Sequence, residues 1–192
     1  MKAIKYILVF IVFIGCFGLC AQAATEGSSL SDWGKIESGK VSIFYHPDVD
    51  LKVVNARVKI RFRDVILEPS FSASKSNDLE SVFAGKINNI IVKVQKILDM
   101  YPRRMKITIA IYKNQSQLNQ AFLDLFGYSN KEGLISFYLH KYTTVYTTET
   151  AIREGVLAHE IGHAVVDHYF VVSPPEKIKE ILSQHVEINL DN

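Results

Sequence analysis

The segment from Ala151 to Tyr169 constrains this chain more than any other. Ile152, Val156, Leu157, Ile161, Ala164 and Val165 recur at helical spacing and mark an apolar helix face that has to be buried. Gly155, Ala158 and Gly162 line another strip of the same helix. Glycine inside a helix costs about 1 kcal/mol relative to alanine, so a strip this small reads as a contact where a second element approaches closely. Within this apolar pattern stands His159-Glu160-Ile161-Gly162-His163. Burying two imidazoles and a carboxylate on one such helix without a shared cation is costly.

His159 and His163 are four residues apart, which places both imidazoles on one helix face, one turn from each other. Zinc suits two neutral imidazoles plus a carboxylate and keeps a fourth position for water. Glu160, next to the first imidazole, is placed to act on that water as a general base. The competing reading is a pair of hydrogen-bonded core histidines beside an exposed glutamate.

The 192 residues, 48% of them apolar, fit one domain, or one small domain with an N-terminal extension. The beginning of the chain reads as an export signal. Lys2 and Lys5 precede an apolar run from Ile7 to Leu19, and Ala21-Gln22-Ala23 follows as a cleavage site. An uncleaved membrane anchor and lipidation at Cys16 or Cys20 are the alternatives, and all three imply an exported chain, periplasmic or secreted. Loss of residues 1–23 would remove both cysteines and two of the 22 Lys and Arg. That leaves 20 basic against 20 acidic residues and no membrane span. A neutral chain without a basic stripe is a poor nucleic-acid binder.

The organisation expected is a signal at 1–23, a strand and helix region at 24–104, and the zinc-bearing domain at 105–192. Residues 24–40, small and polar, read as a flexible lead-in. Val41 to Tyr45 reads as a strand. Asp50 caps a helix through about Arg61, with a strand over Val58 to Phe62 as the alternative, and 64–77 read as loop. Leu79, Val82, Phe83, Ile87, Ile90, Ile91, Val94, Ile97 and Leu98 trace a long helix, begun by Asn77 with Glu80 as its partner. Met105 to Tyr112 is a buried strand and Ser116 to Phe126 a helix ended by Gly127. Ile135 to His140 and Thr143 to Thr148 form a hairpin, and helices at about 151–169 and 174–189 close the chain. Ser173-Pro174-Pro175-Glu176 reads as a capping box for the last helix. Strands followed by helices predict an α+β fold with a small mixed or antiparallel sheet, not a doubly wound parallel one.

The stretch Val156-Leu157-Ala158-His159-Glu160-Ile161-Gly162-His163-Ala164-Val165-Val166-Asp167 resembles the active-site helix of thermolysin-type gluzincin metallopeptidases. The wider order, strands then this zincin-like helix then a C-terminal ligand helix, is similar to the peptidase-MA-like families over about residues 135–190. Metzincins are a poorer match, because Val166 and Tyr169 stand where that pattern has Gly and His. The resemblance implies zinc bound by His159, His163 and a glutamate on the following helix. Glu180, followed by Ser183 and Gln184, matches that order, while Lys179 and Gln184 replace the Asn and Asp of the family. His185, Glu187 and Asp167 are the other ligand candidates. His185 reads more simply as a core histidine on the stripe Ile178, Ile181, Leu182 and Val186, and His46, His140 and His168 as structural or surface residues.

The expected function is an exported zinc metallopeptidase with Glu160 as base and a peptide or protein as substrate. One strand between 134 and 148 would pair with that substrate. Tyr138, Tyr142 and Tyr146 are available to stabilise an oxyanion, although hairpin packing is the simpler role for each. The rival expectations are a non-catalytic zinc-binding, peptidase-like domain acting in envelope assembly or protein interaction, and a structural protein without metal.

Overall fold

A computed structural model describes residues 32–59, 78–129 and 133–190. The expected signal, the 64–77 loop and most of the alternative strand at 58–62 lie outside them. Five strands form one mixed sheet in the order β1-β2-β3-β5-β4. β1 (Gly34–Ser38) pairs antiparallel with β2 (Val41–Tyr45), and β2 lies parallel to β3 (Ile107–Tyr112). β3 is parallel to β5 (Thr144–Thr148), whose other neighbour is the short antiparallel β4 (Phe137–Leu139). The sheet therefore draws strands from both sides of residue 104. The α+β class expected from sequence agrees with this mixed architecture.

Strand alternation sorts the side chains onto two faces. Val41, Ile43, Ile107, Ile109, Ile111 and Val145 point to the main core and are fully buried. α2 (Leu79–Leu98) and α4 (Glu154–Tyr169) cover that face with Phe83, Ile87, Ile91, Val94, Leu157, Ile161 and Val165. Each such burial contributes about 1.5–3 kcal/mol. Ala110, Tyr112, Phe137 and Tyr146 point the other way, onto Leu118, Ala121 and Phe122 of α3 (Gln115–Phe126). Gly127 ends α3 in the left-handed conformation, φ 75°, as glycine does most readily. At the carboxyl ends of β3 and β5, the buried Glu149 accepts from Lys113 Nζ and from the Asp50 N–H. That contact anchors α1 (Leu51–Arg57), whose first turn Asp50 caps through Lys52 N–H.

Four local expectations are corrected. Residues 34–38, expected in the flexible lead-in, form β1, because Ile36 buries against the core and completes a hairpin. The α2 cap is Asp78, which accepts from Ser81 N–H at 2.6 Å, while Asn77 lies outside the described residues. α1 stops at Arg57 instead of about Arg61. α5 (Glu176–Asn189) starts without a capping box. Pro175 is its N-cap, and the Ser173 hydroxyl instead donates to Asp167 Oδ1 at 2.6 Å. The Asp167 side chain is only 2% exposed, and a carboxylate that deep takes available donors first. No helix of the described residues is long and apolar enough to cross a membrane.

Candidate metal centre

α4 lies with one face on the sheet and another against α5. The second contact is close because of Gly162. A Cβ there would stand 3.0 Å from Ser183 Oγ and 3.2 Å from Ser183 Cα, tighter than side chains normally tolerate. The small-residue strip thus does make a packing contact, and the helix it admits is α5. Lys179, Ser183 and Val186 form the inward side of α5, and Leu190 at its C-cap is buried beyond them. Ile178 and Ile181 point outward, contrary to the apolar stripe read from sequence. That resolves the orientation of Glu180, which flanks the buried side and turns towards α4.

His163 Nε2 lies 3.4 Å from Glu180 Oε2, and His159 Nε2 lies 3.6 Å from the same oxygen. All three residues bring a donor atom within 4.8 Å of one another, as only this group does among the described residues. Two donors about 2.1 Å from a tetrahedral zinc stand about 3.4 Å apart. The two imidazole-to-carboxylate separations match that spacing, so two nitrogens and one carboxylate oxygen suit the ion. Gln184 Nε2 donates to Glu180 Oε1 at 2.8 Å and leaves Oε2 directed at the histidines. Burial, and then the neighbouring His159, hold the His163 imidazole below the ordinary histidine range, which favours the neutral, ligating form.

Glu160 lies beside this group, 8% exposed. Desolvation pushes its carboxyl up to about 7, the Ser136 hydroxyl and the Tyr138 backbone N–H pull it down, and the Glu180 and Glu187 carboxylates add to the rise. A base titrating near neutrality exchanges a proton readily at physiological pH. Ser136 and Tyr138 also place Glu160 next to β4, the strand at the end of the sheet order.

The other candidates fall elsewhere. Asp167 pairs with Lys179 Nζ at 3.3 Å and His140 Nδ1 at 3.2 Å, a helix-end role. Glu176 pairs with Lys179. His185 is exposed, with Asn189 Nδ2 3.2 Å from its Nδ1; it is neither a core histidine nor part of the group. His168 bonds Ala164 O through Nδ1, and His46 lies edge-on to Trp33. Tyr146 stacks on Phe137 on the sheet face away from α4, and Tyr138 lies near Asp167. Sequence reasoning undervalued Glu187, whose Oε2 sits 3.4 Å from His159 Nδ1. The available signal was its spacing of seven from Glu180, two helical turns on the same side. Comparison with known proteins found no matching family model, no matching curated protein and no matching solved structure.

Proposed function

We propose that this chain is an exported zinc metallopeptidase that hydrolyses peptide bonds, with His159, His163 and Glu180 as metal ligands and Glu160 as general base. The observation that carries this reading is the convergence of two imidazole nitrogens on one Glu180 oxygen beside a buried glutamate. Zinc held there supplies a Lewis acid that acidifies water and polarises a carbonyl. Gln184 holds Glu180 in place, and the partly buried, neutral His163 offers its lone pair. A Glu160 carboxylate oxygen takes the proton of the attacking water and returns it to the departing amine nitrogen. The neighbouring β4 offers its backbone to an extended peptide.

The test is Glu160→Gln, which keeps shape and removes the base. Zinc content should stay as in the wild type, while cleavage of a quenched peptide library falls by a factor of about 10² or more. A chelator should abolish wild-type cleavage and zinc restore it. Cleavage unaffected by Glu160→Gln refutes the assignment. A second reading, a zinc-binding domain without catalysis, draws on Tyr146, one of the three phenols expected near the site, being stacked on Phe137 on the opposite face of the sheet. A folded, zinc-loaded wild type that cleaves nothing across the library would favour it.

A further inference from the structure

An imidazole that ligates through Nε2 carries its proton on Nδ1, and that N–H needs an acceptor to fix the ring. His159 Nδ1 is buried and makes no hydrogen bond, although Glu187 Oε2 lies 3.4 Å away. Gln184 is already engaged, since its amide donates to Glu180. Asp167, the buried acid at the far end of α4, is held by Lys179, Ser173 and His140. Glu187 remains, two turns along α5 from Glu180. Its side chain lies over Gly155 of α4, where an added Cβ would make ordinary contacts with Glu187 Oε1 at 3.6 Å and Cγ at 3.7 Å.

We propose that Glu187 is the positioning residue for His159, accepting its Nδ1–H and so directing Nε2 to the metal. The inference rests on the zinc reading of the site. It divides the labour on α5: Glu180 ligates, Gln184 steadies Glu180, and Glu187 steadies a histidine of the opposite helix. Two carboxylates two turns apart on α5 then flank His159, one at each ring nitrogen. A small shift of the half-exposed Glu187 side chain brings Oε2 from 3.4 Å into hydrogen-bond geometry.

The experiment measures zinc affinity of residues 24–192 by chelator competition, with nitrogen NMR of His159 in the zinc-loaded protein. Glu187→Ala should weaken zinc binding about 10- to 100-fold, the usual effect of losing an outer-sphere partner. Glu187→Gln, whose carbonyl still accepts from Nδ1–H, should recover most of that loss. His185→Ala, an exposed change on the same helix, should leave affinity as in wild type. The Glu187 side chain is 46% exposed, so metal-free Glu187→Ala should melt close to wild type. In the wild type the Nδ1 proton of His159 should exchange slowly, and in Glu187→Ala faster. Wild-type affinity in Glu187→Ala, or no recovery in Glu187→Gln, overturns the inference alone. A wild type that takes up no zinc overturns the reading of the site, and this inference with it.

Discussion

Replacing Glu160 with glutamine should flatten the pH dependence of stability of the metal-free protein. Burial raises the Glu160 carboxyl from the ordinary 4.5 to about 7 in the folded state. In the unfolded chain it titrates near 4.5. Between those values the unfolded chain has released a proton that the folded protein still holds, so stability falls as pH rises. The contribution is fully present below pH 4.5 and lost as pH passes 7. At about 1.4 kcal/mol per pH unit, the interval is about 3 kcal/mol. Glutamine occupies the same volume, can still accept from the Tyr138 N–H, and does not titrate.

The assay is urea unfolding of residues 24–192 in chelator at several pH values from 4 to 9, for wild type and Glu160→Gln. The stability difference should move in favour of the variant by about 3 kcal/mol across pH 4.5 to 7.5, with m-values alike. Subtracting one protein from the other removes the titration of His163 and of every other shared group. Zinc should then shrink the difference at high pH, because a nearby cation favours the carboxylate. A difference that stays constant with pH would mean that Glu160 is hydrated in the folded protein, and would refute both its burial and its tuning.

Wild-type protein purified without a metal-binding tag should carry about one zinc per chain, and His159→Ala or His163→Ala almost none, by elemental analysis. Glu180→Ala should lower zinc affinity by a factor of about ten or more, read by chelator competition, with Gln184→Ala lowering it less. Gly162→Ala should destabilise by about 1–3 kcal/mol in urea unfolding, because the clash with the Ser183 backbone outweighs the gain in helix propensity. Gly155→Ala, which meets only ordinary contacts, should instead stabilise by up to about 1 kcal/mol in the same assay. Lys179→Ala leaves the buried Asp167 without its cation and should cost about 3 kcal/mol, the low end for a broken buried pair, since Ser173 and His140 remain.

The elements of this fold were legible wherever one periodicity ran unbroken. The nine apolar positions from Leu79 to Leu98 gave α2 its length, and Val41 to Tyr45 gave β2 both its ends. β1 was missed because its inward residues are few. Ile36 is the one residue of Gly34–Ser38 in the core, and Lys35, Glu37 and Ser38 around it read as loop. Strand direction was legible only in the antiparallel hairpin of β4 and β5. The parallel pairing of β2, β3 and β5 depends on α2 and α3 covering opposite faces of the sheet, and no local pattern records which face a helix will take.

The site divides along the same line. His159, Glu160 and His163 lie on one helix, so their spacing alone sets their geometry. Glu180 comes from another helix, and its orientation depends on which side of α5 is buried. Apolar counting chose the Ile178 and Ile181 side, whereas the helix buries Lys179 and Ser183. The reason lies on α4: Asp167 needs a cation, and Gly162 leaves a slot that a small residue fills. With Ser183 fixed in that slot, a step of about 100° per residue places Glu180 about 60° and Glu187 about 40° to the same flank. That flank faces His159 and His163, so the Gly162–Ser183 contact, which touches no ligand, sets the aim of both carboxylates.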